Sequence, residues 1–155
     1  MKLSELLNEN RILFNVKFEN KEDAITKMVN SLSGDPLIKD LEEVKQAVLE
    51  REKIMSTGVG NGFAIPHAKT KGADGFIAIL AKLSEPIDFD SHDGKPVNII
   101  FMLIGKETMV SEHIKMLSRI SRLMNNDEFR QNLINASSKE EILTLLETEE
   151  NKYFG

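Results

Sequence analysis

The stretch Thr57-Gly58-Val59-Gly60-Asn61-Gly62-Phe63-Ala64-Ile65-Pro66-His67 holds the residue types best able to do chemistry. Gly58, Gly60 and Gly62 let the backbone take positive φ or approach a ligand closely. Pro66 fixes its own φ and keeps Ile65 extended, so a very short strand over 63–65 is expected to end where His67 begins. A flexible backbone cradle beside a rigidly presented imidazole reads as an anion site with a nucleophile in it. Imidazole suits that role because it is largely unprotonated near neutrality.

Two further residues point the same way. Arg51 follows Val48 by three residues and Val44 by seven. Seven helical steps return to within about 20° of the starting direction, so Arg51 extends the apolar stripe of its helix. It reads either as a cation at a helix C-terminus or snorkelling to the rim, or as a guanidinium aimed at a phosphate near His67. His113 is followed by Leu117, Ile120 and Met124 on the inward stripe of another helix. It reads either as a core histidine or as a second site group in a first helical turn, where backbone N–H groups favour an anion. Ser56 and Thr57 offer hydroxyls that serve a phosphate or a turn. His92 sits in the polar turn Ser91-His92-Asp93-Gly94 and reads as solvated.

Other chemistries are disfavoured. The histidines at 67, 92 and 113 have no metal-ligand spacing, so no metal is expected. Asp88-Phe89-Asp90-Ser91-His92-Asp93-Gly94 fails as a calcium loop, because His92 and Asp93 stand where an acid or amide and the glycine are needed. No Gly-Lys-Ser/Thr closes the glycine run, so it is not a nucleotide-binding P-loop. Met109, Met116 and Met124 read as core filling. No cofactor is expected.

These residues need a scaffold. One helical turn is expected over 4–7. Ile12, Phe14, Val16 and Phe18 alternate with Leu13, Asn15 and Lys17, the period of a half-buried strand. Asn20 with Asp23 resembles a helix N-cap, and Gly34 a stop. A second helix is expected over 40–54, with Leu41, Val44, Ala47 and Val48 inward. A polar turn over 69–75 follows His67. The apolar runs 76–83 and 97–104 suit strands covered on both faces, with turns at Glu85-Pro86 and 91–96 between them. Ser111 is expected to cap a helix reaching Met124, Asn126 to start a short one, and Ser137 and Ser138 the last. The fold class is α/β: a single-domain three-layer sandwich over 1–155, with a mixed sheet and helices on both faces.

Composition sets the outer limits. The chain has 155 residues, 41% of them hydrophobic and 29% charged, which is the make-up of one globular domain. A formal net charge of −5 argues against nucleic acid as the main partner. With no cysteine, disulfides and thiol nucleophiles are excluded from this chain. The N-terminal residues do not read as a signal peptide and no apolar run is long enough to span a bilayer, so a cytoplasmic protein is expected.

Arg51-Glu52-Lys53 and the run from Ser56 to Lys69 closely resemble the active-site signature of the fructose/mannitol-type EIIA components of the bacterial phosphoenolpyruvate-dependent sugar phosphotransferase system. Asp93-Gly94-Lys95-Pro96-Val97, His113 with Leu117, and Asp127-Glu128-Phe129-Arg130 continue the likeness through the chain. The resemblance implies a mixed sheet of about five strands and a phosphocarrier. His67 matches the histidine that takes a phosphoryl group from HPr and passes it to a cysteine of an EIIB component. Arg51 and His113 match the flanking residues that stabilise the group. With no cysteine here, that acceptor is expected on another chain or domain, and the membrane is met only through EIIC. The nitrogen-related regulatory EIIA carries a very similar signature, so sugar uptake and regulatory signalling both stay open, as do the sugar and the oligomeric state.

Overall fold

The computed structural model describes residues 1–154. Two long strands, β5 (Ile77–Ile87) and β6 (Val97–Lys106), pair antiparallel at its centre, where the two apolar runs place them. Their residues alternate between two faces. Ala78, Leu80, Ile99, Phe101 and Leu103 join one core, with Ile120, Leu123, Phe129 and Ile142. Ile77, Ile79, Ala81, Ile100 and Met102 join the other, with Ile25, Val29, Val44 and Val48. Each fully buried Val, Leu, Ile, Phe or Met among them favours folding by about 1.5–3 kcal/mol over its exposed state.

β1 (Ile12–Val16) pairs parallel with the outer side of β5. The opposite edge of β6 receives two short parallel strands in tandem, β3 (Phe63–Ala64) and then β4 (His67–Thr70). β2 (Gly58–Gly60) pairs antiparallel with β3. The mixed sheet therefore has six strands, two of which share one position across its width. Pairing with β6 also corrects two local readings. His67 opens a strand instead of following the last one, and Lys69 and Thr70 belong to that strand and not to a turn. Glu85-Pro86 lies inside β5, in the gap where the β5–β6 register shifts between Lys82 and Ile87. A proline without an N–H is tolerated where no ladder bond is due.

Local capping set most helix starts. In α2 (Lys21–Asn30) the Asn20 side chain accepts from the Asp23 N–H, and in α3 (Leu41–Ile54) Asp40 accepts from Glu43. Asn126 caps α5 (Asp127–Ile134) in the same way. Ser138 Oγ accepts from the Glu141 N–H at the start of α6 (Lys139–Phe154). Each such cap contributes about 1 kcal/mol. Ser111 is not a cap. α4 (Val110–Met124) starts before it, with Met109 at the cap position and no side-chain cap bond. Met109 packs against the first core and its N–H closes a turn onto Lys106 O at 3.0 Å, so burial and not a hydroxyl sets this helix entry. The first helix, α1 (Leu3–Leu6), is held by the far end of the chain. The buried carboxylate of Glu150 accepts from the Leu3 and Ser4 N–H groups at 2.5 and 3.1 Å. No helix is long and apolar enough to cross a membrane among the described residues.

Candidate functional site

His67 lies where the chain steps from β3 to β4. Ile65 N turns away from β6 and donates to Thr57 O at 3.0 Å, while Pro66 O accepts from Leu103 N at 3.0 Å. The step leaves Ile65 O beside the imidazole, 2.8 Å from Nδ1. A carbonyl only accepts, so this contact assigns the proton to Nδ1 and the lone pair to Nε2. Burial is the main cause that lowers the proton affinity of His67 below the usual imidazole value. The Ile65 bond opposes that shift, the charges of Arg51 and Lys69 add to it, and Glu52 offsets them in part. His67 is therefore neutral at pH 7 with a nucleophilic Nε2.

His113 stands across from it. The ring centroids are 5.6 Å apart and the planes are tilted by 47°. Phe76 covers another side of His113 at 6.0 Å. The residue is 2% exposed, and neither ring nitrogen finds a partner among the described residues. Burial first, then the nearby His67 and Lys69, push its pKa down to about 4. It is thus a neutral imidazole, and one of its nitrogens carries an undirected N–H. Leaving a buried donor unpaired costs about 1–3 kcal/mol, a cost that a ligand accepting the bond would remove.

Between these rings and α3 lies a cleft of about 510 Å³. Arg51, Ile54, His67, Lys69, His113 and Ile114 line it, together with the carboxylates Glu43 and Glu50. Lys69 follows His67 by two along β4, so both point to one side of the strand. Arg51 makes the helix-end contact, its Nη1 donating to Met55 O at 3.0 Å at the end of α3, and its side chain also borders the cleft. Neither Arg51 nor Lys69 enters an ion pair among the described residues. A larger groove of about 840 Å³ lies between α2 and α3, but no histidine lines it.

Ser56, Thr57, Gly58, Gly60 and Gly62 do not line the cleft. Ser56 Oγ donates to Phe89 O at 2.6 Å and accepts from Gly58 N at 3.1 Å. Thr57 gives its N–H and its hydroxyl to the Glu52 carboxylate. The glycines serve the β2–β3 hairpin. Gly60 and Gly62 have φ of +123° and +83°, and a Cβ on Gly58 would lie 2.6 Å from Ser91 Oγ. His92 is exposed, and its N–H donates to Gly58 O at 3.0 Å.

Two residues that matter here were not singled out from the sequence. A Cβ on Gly105 would lie 2.6 Å from Phe76 Cε1 and 2.8 Å from His113 Nδ1, so this glycine makes room for the second imidazole. The signal was an isolated glycine in an apolar strand, a mark of close approach. Glu52 is 6% exposed, on the stripe formed with Val44 and Val48. The buried stripe of α3 thus runs on to Glu52, while Arg51 stands at its half-buried border. A carboxylate at four-residue spacing from buried valines was the available signal.

The sequence matches, over residues 5–149, the family described as Phosphoenolpyruvate-dependent sugar phosphotransferase system, EIIA 2. The chain belongs to this EIIA family. This EIIA chain is 35% identical over 146 residues to a PTS system fructose-specific EIIABC component of Bacillus subtilis. The match covers 94% of the chain but only 23% of that much longer protein. It is 30% identical over 146 residues to a nitrogen regulatory protein of Pseudomonas aeruginosa, covering 94% of the chain and 95% of that protein. Its fold superposes on the crystal structure of the nitrogen regulatory protein IIA-Ntr from Neisseria meningitidis with a TM-score of 0.86 and 30% identity, over 93% of this chain and 98% of that one.

Proposed function

We propose that this EIIA chain is a phosphocarrier that takes a phosphoryl group on Nε2 of His67 from phospho-HPr and delivers it to a cysteine of an EIIB component during sugar uptake. The observation that carries the reading is the tautomer of His67. Its Nδ1–H is held by Ile65 O, and the ring stands in a cleft opposite an unpartnered imidazole. The Nε2 lone pair attacks the phosphorus of the donor phosphohistidine. The new N–P bond forms as the old one breaks, and the donor nitrogen keeps the electron pair. The His67 ring then bears the phosphoryl group on Nε2 and its original proton on Nδ1. With the donor ring protonated on its other nitrogen, it leaves as neutral imidazole and no proton has to pass between the rings, so residues and charges already in place do the work of positioning and stabilisation. In the second step a thiolate attacks the same phosphorus, and the pair returns to Nε2.

The phosphoryl group carries about −1.5 to −2 charges. Arg51 answers it with charge, and one such pair at 4 Å is worth about 4 kcal/mol at an effective dielectric near 20. His113 answers it with a neutral N–H. The hairpin residues 56–62 shape the rim on which donor and acceptor dock, and no cofactor or metal enters. The chain acts as one EIIA unit in the cytoplasm.

Incubation with phosphoenolpyruvate, enzyme I and HPr tests this. The protein is expected to gain an acid-labile, base-stable phosphate that His67→Ala abolishes; a label that survives the change contradicts the assignment. The second reading is a regulatory EIIA of the nitrogen-related kind, which signals by phosphorylation-dependent protein binding without sugar transport. Its support is the end-to-end match to a nitrogen regulatory protein, 95% of whose length is covered. Onward transfer to purified EIIB partners separates the two: rapid transfer supports uptake, and a stable phosphoprotein with every EIIB supports regulation.

A further inference from the structure

We propose that Glu52 is a positioning residue for the phosphoryl-accepting histidine, acting through Thr57 and Ile65. The proposal rests on His67 being the acceptor. The contacts form one path. Glu52 Oε2 accepts from Thr57 N at 2.8 Å, and Glu52 Oε1 accepts from Thr57 Oγ1. Thr57 O in turn accepts from Ile65 N at 3.0 Å. Ile65 O then accepts from His67 Nδ1 at 2.8 Å. The carboxylate itself is fixed from behind, where Lys21 Nζ lies 3.0 Å from Oε2 and bridges onward to Asp90 at 3.3 Å.

The coupling is positional. The bonds at each residue belong to different peptide groups, so the path holds geometry and does not carry a proton. Thr57 is gripped at both its N–H and its hydroxyl, which leaves its carbonyl one orientation. That carbonyl anchors Ile65 on the β2-facing side of the chain, where Ile65 O takes the imidazole N–H. A looser Thr57 lets Ile65 O leave the ring, and the imidazole then exchanges its proton between the two nitrogens. Every molecule with the proton on Nε2 has no lone pair where the phosphorus arrives. A buried carboxylate is costly unless paired and hydrogen-bonded, and here each of its oxygens is engaged. Framework stability alone would be served as well by an apolar residue at this position on the stripe of Val44 and Val48.

The test reads the tautomer directly, by ¹⁵N resonances of the imidazole in the full chain without any phosphoryl transfer. The wild-type His67 ring is expected to show Nδ1 protonated and Nε2 bare. In folded Glu52→Gln and Thr57→Val the resonances are expected to move toward a mixture of tautomers, and the initial rate of labelling from phospho-HPr to fall about tenfold. Thr57→Ser keeps the hydroxyl and is expected to restore both. If Glu52→Gln does not fold, Thr57→Val decides, because it leaves the Lys21–Glu52 pair in place. Wild-type ring resonances in the folded variants overturn the proposal, whatever happens to stability or rate. The outcome is separable from the phosphocarrier reading, which fails if the wild-type chain takes no phosphoryl group on His67 or if His67→Ala is still labelled.

Discussion

His67 and His113 face each other with ring centroids 5.6 Å apart, and they differ in how their nitrogens are held. His67 has a fixed partner on Nδ1, and His113 has none on either nitrogen among the described residues. In the proposed reaction the first ring attacks and the second donates a hydrogen bond to the group the first has taken.

That division gives a pH dependence. The folded-state pKa of His113 is pushed down to about 4, and that of His67 is lowered as well. The unfolded chain therefore binds more protons in the window between about 4 and the ordinary value of 6.5. Stability rises with pH through this window and is lost as the pH falls. Chemical denaturation at neutral and at acidic pH is expected to show a smaller acid loss for His113→Leu than for the wild type. An equal loss in both would place the sensitivity elsewhere.

Arg51→Ala is expected to slow phosphoryl transfer from HPr by tenfold or more, the scale on which removing one preorganised donor acts. The bond from Nη1 to Met55 O is a helix-end contact, so the melting temperature should move little. Transfer at the wild-type rate would restrict Arg51 to that contact.

Gly105→Ala would place a methyl group against Phe76 and His113 at separations of 2.6 and 2.8 Å. Overpacking of this kind costs about 1–3 kcal/mol and displaces the ring it meets. Both stability and transfer rate are expected to fall, and Phe76→Leu in the same chain is expected to recover part of each. Unchanged denaturation and transfer would mean that the strand gives way without disturbing His113.

Glu150→Ala separates architecture from chemistry. It leaves the Leu3 and Ser4 N–H groups without their buried acceptor, far along the chain from the cleft. A loss of about 2–3 kcal/mol in unfolding free energy is expected, with phosphoryl transfer from the folded fraction unaltered. A transfer defect would tie this end of the fold to the site.

These outcomes also mark where sequence reasoning reaches. Asn20, Asp40, Asn126 and Ser138 act on N–H groups three residues away, so their caps are local and legible. Pro66 beside His67 is local too, and the apolar runs of β5 and β6 reveal strands covered on both faces. The tandem of β3 and β4 is not local, because only β6 gives either strand a partner. Ser111 lost its cap to Met109, whose burial is a tertiary fact. The site follows the same rule. Arg51, His67 and His113, which line one cleft, were visible as residue types at helical and loop spacings. The hydroxyls of Ser56 and Thr57 looked equally suited to a phosphate until Phe89 O and Glu52 proved to hold them.

The proposed phosphoryl transfer rests on the tautomer of His67, and the isomer of the phosphorylated ring reads it out. Phosphorus and nitrogen NMR of the chain labelled through enzyme I and HPr is expected to show a phosphoryl group on Nε2 of His67, with the proton still on Nδ1. A phosphoryl group on Nδ1, or on any residue other than His67, would contradict it.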